Sequence, residues 1–236
     1  MTLSILSTII FLLLAHVLAD FVFQTNAMVV RKREPHILVS HIVIVGLLSW
    51  IALGGNPALA LGIAATHLII DAVKIHILTD NLHGFAVDQI THITVIFVAA
   101  LIFPNAISQG IWGGYLTHAL EPTIFVTGAI VSIIMGGYVI KHLMAQFDNG
   151  DLEPGLKGAG TTIGILERAI IFVLVIVNAP TAIGFLIAAK SILRFEEAKK
   201  AGEYVIIGTL ASFTWAITAS YLTVHTLALA KAMVAP

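Results

Sequence analysis

The chain has 236 residues, 58% of them hydrophobic and 11% charged, with a mean hydropathy of +1.01 and a formal net charge of −1. A soluble domain carries about 25% charged residues, so this chain cannot cover a globular surface with polar groups and reads as an integral membrane protein. The near-zero charge argues against a nucleic-acid binder, which needs a basic stripe, and the lack of cysteine excludes disulfides and thiolate metal sites.

The opening run MTLSILSTIIFLLLAHVLADFVF has no basic residue ahead of it and is long enough to cross a bilayer. It is therefore expected to remain as a first span, without cleavage as a signal peptide. Apolar windows continue along the chain, giving an all-α polytopic fold with eight transmembrane helices near 3–23, 36–54, 57–78, 87–103, 122–143, 161–178, 180–194 and 203–225. The seventh is short and follows the sixth after Asn178-Ala179-Pro180, a tight hairpin that a re-entrant segment would also satisfy. Between Pro104 and Pro122, Trp112, Tyr115 and His118 suit an external interfacial helix. The expected organisation is a four-helix His/Asp-rich membrane domain over 1–103, an external interfacial segment over 104–121, and a four-helix membrane domain over 122–236 with a cytoplasmic loop at 144–160. That loop is rich in Gly and acids, but lacks both a Walker Lys-Ser/Thr ending and EF-hand spacing, so it reads as a linker.

Basic residues set the orientation. Arg31, Lys32, Arg33, Lys74, Lys141, Lys157, Arg168, Lys190, Arg194, Lys199 and Lys200 fall on one side of this topology, and Lys231 alone falls on the other. The positive-inside rule makes the first side cytoplasmic. The chain is then expected in a bacterial inner membrane with both termini outside.

Polar residues inside these spans are not scattered. His16 with Asp20, His67 with Asp71, and Asp88 with His92 are spaced four apart, which puts each pair on one helix face. Random placement of ten His and six Asp gives about half a pair at this spacing, counting both orders. His76 with Asp80 adds a fourth pair where span three leaves the membrane, although His36, His76 and His83 at span ends read as solvated. With alternating span direction, His16, Asp20, His41, His67, Asp71, Asp88 and His92 fall at one depth, roughly 2–16 Å from the cytoplasmic edge. Imidazole and carboxylate together suit a divalent metal, Zn first and Mn, Fe or Co behind it. The expected ligands are His16, Asp20, His41, His67, Asp71 and His92, with one metal and an outer shell or two metals both open. The bland alternative is interhelical hydrogen bonding by the same groups.

Asp88, or another carboxylate that does not ligate the metal, is the expected proton acceptor. Lys74, three residues after Asp71, can pair with that carboxylate or contact an anionic substrate. Gln24, Lys32 and Gln89 sit at the rim beside it. In the second half, Glu167, Arg168, Lys190 and Arg194 crowd the same edge, either as positive-inside anchors or as a charged wall facing an anionic headgroup.

The ordered elements LLLAHVLADFVFQ, a basic loop, LVSH, THLIIDAVKIH and VDQITH resemble the bacterial membrane family called domain of unknown function 3307. Its pattern falls here on His16, Asp20, Gln24, Lys32, His41, His67, Asp71, Lys74, Asp88, Gln89 and His92, within about residues 1–103. The segments GILERAIIF, AAKSILRF and EYVIIGTLAS resemble the second half of its longer members. A looser similarity of motif links the chain to membrane-bound metal-dependent hydrolases, by analogy only.

The expected function is a metal-dependent hydrolase acting on a membrane lipid or lipid-linked small molecule, with a homo-oligomer left open and no nucleic-acid partner. One rival is a secondary transporter that uses the cluster as a proton or metal relay. Few polar groups continue toward the outer side, which favours chemistry over passage. A membrane scaffold with a structural polar core is the third reading.

Overall fold

A computed structural model describes residues 2–147, 158–193 and 195–234; Arg194 and residues 148–157 of the expected loop lie outside the described residues. The described residues form helices and no strand: α1 Leu3–Leu18, running into a π-helical turn Ala19–Phe23, then α2 Asn26–Val30, α3 Pro35–Ala52, α4 Pro57–Ile77, α5 Leu82–Ile102, α6 Leu116–Ala129, α7 Gly136–Met144, α8 Ala159–Ile176, α9 Thr181–Leu193 and α10 Phe195–Val234. Among them, seven helical segments are long and apolar enough to cross a membrane, and Thr181–Ile192 is a shorter apolar helix. The chain is a helical membrane protein.

One compact unit comprises Met1–Ile130 with Thr226–Pro236, the other Val131–His225. In the first, α1 is the hub and packs against α3, α5 and α6. Leu6, Ile9, Ile10, Phe11 and Leu12 of α1 are buried among Leu59, Ile96, Ile107, Leu120 and Ile124. The outer faces of α3, α4 and α5 leave Val43, Leu47, Ile69, Val73, Phe97 and Leu101 exposed, as lipid contact requires.

Local chemistry sets the helix ends. Pro35 and Pro57 occupy first turns, where the missing N–H is no loss. Asn56 and Asn81 cap α4 and α5 by accepting hydrogen bonds from Leu59 N–H (3.1 Å) and Gly84 N–H (2.8 Å). After α3 the chain turns through Gly54 and Gly55, at φ +65° and +95°. Part of the stretch between Pro104 and Leu116 folds against that turn. Ile111 N–H donates to the Gly54 carbonyl at 3.0 Å, and the Trp112 indole donates to the Ile51 carbonyl at 2.7 Å. The helix after this stretch begins at Leu116 and carries Pro122 inside it, earlier than an apolar window opening at Pro122 implies. The second unit has its own core of Ile171, Val175, Ile183, Phe213 and Ala216.

Candidate metal centre

Four helices of the first unit deliver the polar groups. His16 lies in the last turn of α1 and Asp20 in the π-helical turn that follows. His41 is on α3, His67 and Asp71 share a face of α4, and Asp88 and His92 share a face of α5. None of these side chains' residues is more than 8% exposed. The extra residue of a π turn re-aims the side chains it carries, and it turns Asp20 inward beside His41 and His67.

The centre of the cluster is the pair His41 Nε2 and His67 Nε2, 3.2 Å apart. Asp20 Oδ1 lies 3.4 Å from both nitrogens, and Asp71 Oδ2 lies 3.6 Å from both. Two triangles of donor atoms therefore share the His41–His67 edge. A four-coordinate ion with bonds of about 2.0–2.2 Å separates its ligands by roughly 3.3–3.6 Å, so each triangle matches the face of such a site. Neither Asp20 Oδ1 nor Asp71 Oδ2 has a hydrogen-bond partner. Two neutral imidazoles can share one proton between facing nitrogens, which leaves both buried oxygens unsatisfied, at a cost of about 1–3 kcal/mol each or more when charged.

Outer donors fix the carboxylates. Lys32 Nζ donates to Asp71 Oδ1 at 2.8 Å, and Lys74 Nζ to Asp88 Oδ2 at 2.5 Å. The Gln89 amide donates to Asp88 Oδ2 at 3.1 Å and, in a longer bond, to Asp20 Oδ2 at 3.5 Å. Each of the three carboxylates thus spends one oxygen on an outer donor and keeps the other, Asp20 Oδ1, Asp71 Oδ2 or Asp88 Oδ1, buried and unpartnered. With neutral imidazoles, three carboxylates and two ammonium groups leave one negative charge, which a buried cation relieves.

The histidine tautomers follow from the same contacts. Because the Gln89 amide nitrogen faces carboxylates, its Oε1 accepts from His16 Nε2–H at 3.2 Å. His16 Nδ1 then carries a lone pair, 3.9 Å from Asp20 Oδ2. His92 Nδ1–H donates to the Asp88 carbonyl at 2.9 Å, so its buried Nε2 presents a lone pair and has no partner. Ring contacts of His92 with His16 (5.0 Å) and His67 (4.1 Å) lock these orientations. Donor atoms of His16, Asp20 and His67, of His41, His67 and Asp71, and of Asp71, Asp88 and His92 each lie within 4.8 Å of one another. These buried groups could hold a metal ion.

The structure brings all six expected ligands, with Asp88, Gln89, Lys32 and Lys74, into one cluster. Lys74 pairs with Asp88 across to α5, not with Asp71 on its own helix, and Lys32 takes Asp71 instead. The Gln24 amide nitrogen is buried and has no hydrogen-bond partner. His76 and Asp80 are exposed at and beyond the end of α4. His36 is exposed beside Glu34 at 3.4 Å, and hydrogen bonds from Arg31 hold the Glu34 carboxyl below its ordinary value.

Glu167, Arg168 and Lys190 belong to the second unit. Lys190 Nζ pairs with Glu167 Oε2 at 2.7 Å. Arg168 packs against Gly136, Gly137 and Gly164, and donates to the Ile133 carbonyl at 2.9 Å and the Ser212 hydroxyl at 3.2 Å. Ile133 lies in a second π-helical turn, Ile130–Met135, which frees carbonyls for side-chain donors. Neither Ser212 nor this turn was visible as a partner in the sequence, because a π turn has no composition of its own.

Residues 8–113 match the family described as "Protein of unknown function (DUF3307)". No curated protein and no solved structure matches the chain. The matched stretch contains every residue of the His/Asp cluster.

Proposed function

We propose that the chain is a membrane-embedded, metal-dependent hydrolase acting on a lipid or lipid-linked substrate. The observation that carries this reading is the pair of buried, unpartnered carboxylate oxygens, Asp20 Oδ1 and Asp71 Oδ2, facing two imidazole nitrogens at 3.4 and 3.6 Å. His41, His67 and Asp71, with Asp20 beside them, would hold the ion, and the nitrogen–oxygen donor set suits Zn first, with Mn, Fe or Co behind it. A bound divalent ion supplies Lewis acidity and lowers the pKa of water toward about 7.

The chain's own residues do the rest. Lys32 and Gln89 hold Asp71, Asp20 and Asp88 in position. Asp88 accepts a proton at its unpartnered Oδ1, while Lys74, whose side chain is 32% exposed at the rim, holds Oδ2. The same ammonium can meet an anionic headgroup. A cavity of about 20 Å³, enough for about one water, lies beside His16, His67 and His92 among Leu12, Val45 and Ile96. Burial within an apolar helix bundle favours a substrate arriving from the bilayer. Arg31, Lys32, Arg33 and Lys74 near the cluster support a site in the cytoplasmic leaflet of a bacterial inner membrane.

The test is elemental analysis of the full chain in lipid nanodiscs, together with mass spectrometry of the nanodisc lipids before and after incubation. Wild type is expected to hold stoichiometric transition metal and to yield chelator-sensitive hydrolysis products; His67→Ala is expected to lose both. Wild type without stoichiometric metal ends the proposal.

A further inference from the structure

The His41–His67 pair does not account for every unpartnered atom in the cluster. On α5, His92 Nε2 and Asp88 Oδ1 are both buried and without hydrogen-bond partners. His92 is 3% exposed and Asp88 1%. Both are held so that these atoms stay free: His92 by its Nδ1–H bond to the Asp88 carbonyl (2.9 Å), and Asp88 by Lys74 and Gln89 on its other oxygen. Asp88 Oδ1 lies 3.6 Å from His92 Nδ1, whose hydrogen goes to the Asp88 carbonyl, so neither that oxygen nor the Nε2 lone pair is supplied with a proton, and each repels a carboxylate nearby. Asp71 supplies that neighbour, since its donor atom lies within 4.8 Å of those of Asp88 and His92. It belongs equally to the group around His41 and His67.

We propose that Asp71, Asp88 and His92 form a second divalent-metal position, so that the cluster is a two-metal centre joined through Asp71. The inference rests on the metal reading of the His41–His67 group. Three protein donors on the second ion leave a coordination place open, the arrangement of catalytic rather than structural sites. Two-metal hydrolytic sites keep their ions about 3.5–4 Å apart, a span that a shared carboxylate can bridge. With a second ion in place Asp88 Oδ1 serves as a ligand in place of a proton acceptor, and Oδ2 stays on Lys74 and Gln89. The added positive charge lies on the side of the cluster where Lys74 is half-open to solvent, within reach of an anion.

The test uses the full chain in nanodiscs, stripped with chelator and reloaded with Mn²⁺ alone. Bound metal is counted by elemental analysis, and coupling between ions is read by electron paramagnetic resonance. Wild type is expected to bind two Mn²⁺ per chain with an exchange-coupled spectrum. His92→Ala and the milder His92→Gln are each expected to bind one, with an uncoupled six-line spectrum. The wild-type count and spectrum decide the matter even if a variant fails to fold. One uncoupled Mn²⁺ in wild type, or two retained in folded His92→Gln, overturns the second position and leaves the first reading standing. No bound Mn²⁺, and no other transition metal after the same loading, overturns both.

Discussion

Asp71→Asn separates a metal centre from a merely structural polar core. In the wild type an ion held by the cluster binds the folded chain alone, so saturation at 100 times the dissociation constant stabilises it by about 2.7 kcal/mol. For a chain of this size, each kcal/mol moves the melting temperature by about 2–4 °C, so metal is expected to raise it by about 5–11 °C. Asp71→Asn removes an ionised donor and also takes the partner from Lys32, an ion pair at 2.8 Å whose side chains are 10% and 1% exposed. Breaking such a pair costs about 3–5 kcal/mol, so the metal-free variant melts well below the metal-free wild type. That drop appears under either reading. The discriminating quantity is the increment on adding metal, expected to shrink to about 2 °C or less in Asp71→Asn. Lys32→Met breaks the same ion pair but leaves Asp20 Oδ1 and Asp71 Oδ2 in place, so it is expected to keep most of the increment. Differential scanning fluorimetry in nanodiscs, with and without Zn²⁺, measures all three chains. No increment in wild type, or a full one in Asp71→Asn, would refute the reasoning.

Gln89→Leu removes the amide that joins His16, Asp20 and Asp88, and is expected to weaken metal affinity about 10–100-fold; a competition titration against a fluorescent chelator that finds no change would sink the positioning role. Acidification supplies protons that compete for imidazoles whose unperturbed pKa is about 6.5. Equilibrium dialysis should therefore show metal retained at about pH 7.5 and released toward about pH 5, and retention at the lower pH counts against histidine ligands. In the second unit, Glu167→Gln strands Lys190 (2.7 Å apart in the native pair) and is expected to cost about 3–5 kcal/mol, most of it recovered in Glu167→Gln/Lys190→Met. Equal melting temperatures for the single and double variants would contradict that. Gly54→Ala forces a side chain onto φ +65° with its Cβ 2.8 Å from Ile111 N, at an expected cost of about 1–3 kcal/mol in thermal unfolding; an unchanged melting temperature would show that the turn adapts.

Composition and helical period were enough to read a polytopic helical protein, because a low charge fraction and apolar runs of spanning length leave the backbone no other way to satisfy its polar groups in lipid. The spacing of His16 with Asp20, His67 with Asp71, and Asp88 with His92 was likewise legible, since one helix fixes which of its residues share a face. Alternating span direction then gave the expectation that they share one depth. What a single helix cannot specify is its rotation against a neighbour. That rotation gives Lys74 to Asp88 and Lys32 to Asp71, although Asp71 is the nearer acid to Lys74 along the chain. It also sets Gln89 between three side chains and leaves one oxygen of each carboxylate unpartnered. The π-helical turns at Ala19–Phe23 and Ile130–Met135 belong to the same class. Each gives up regular hydrogen bonding locally for contacts made elsewhere in its own unit, Asp20 with His41 and His67, the Ile133 carbonyl with Arg168. The sequence determined that the chain is helical and which polar residues share a helix face; only tertiary packing decided which atoms face one another, because that depends on helix rotation and local unwinding that no one-helix pattern encodes.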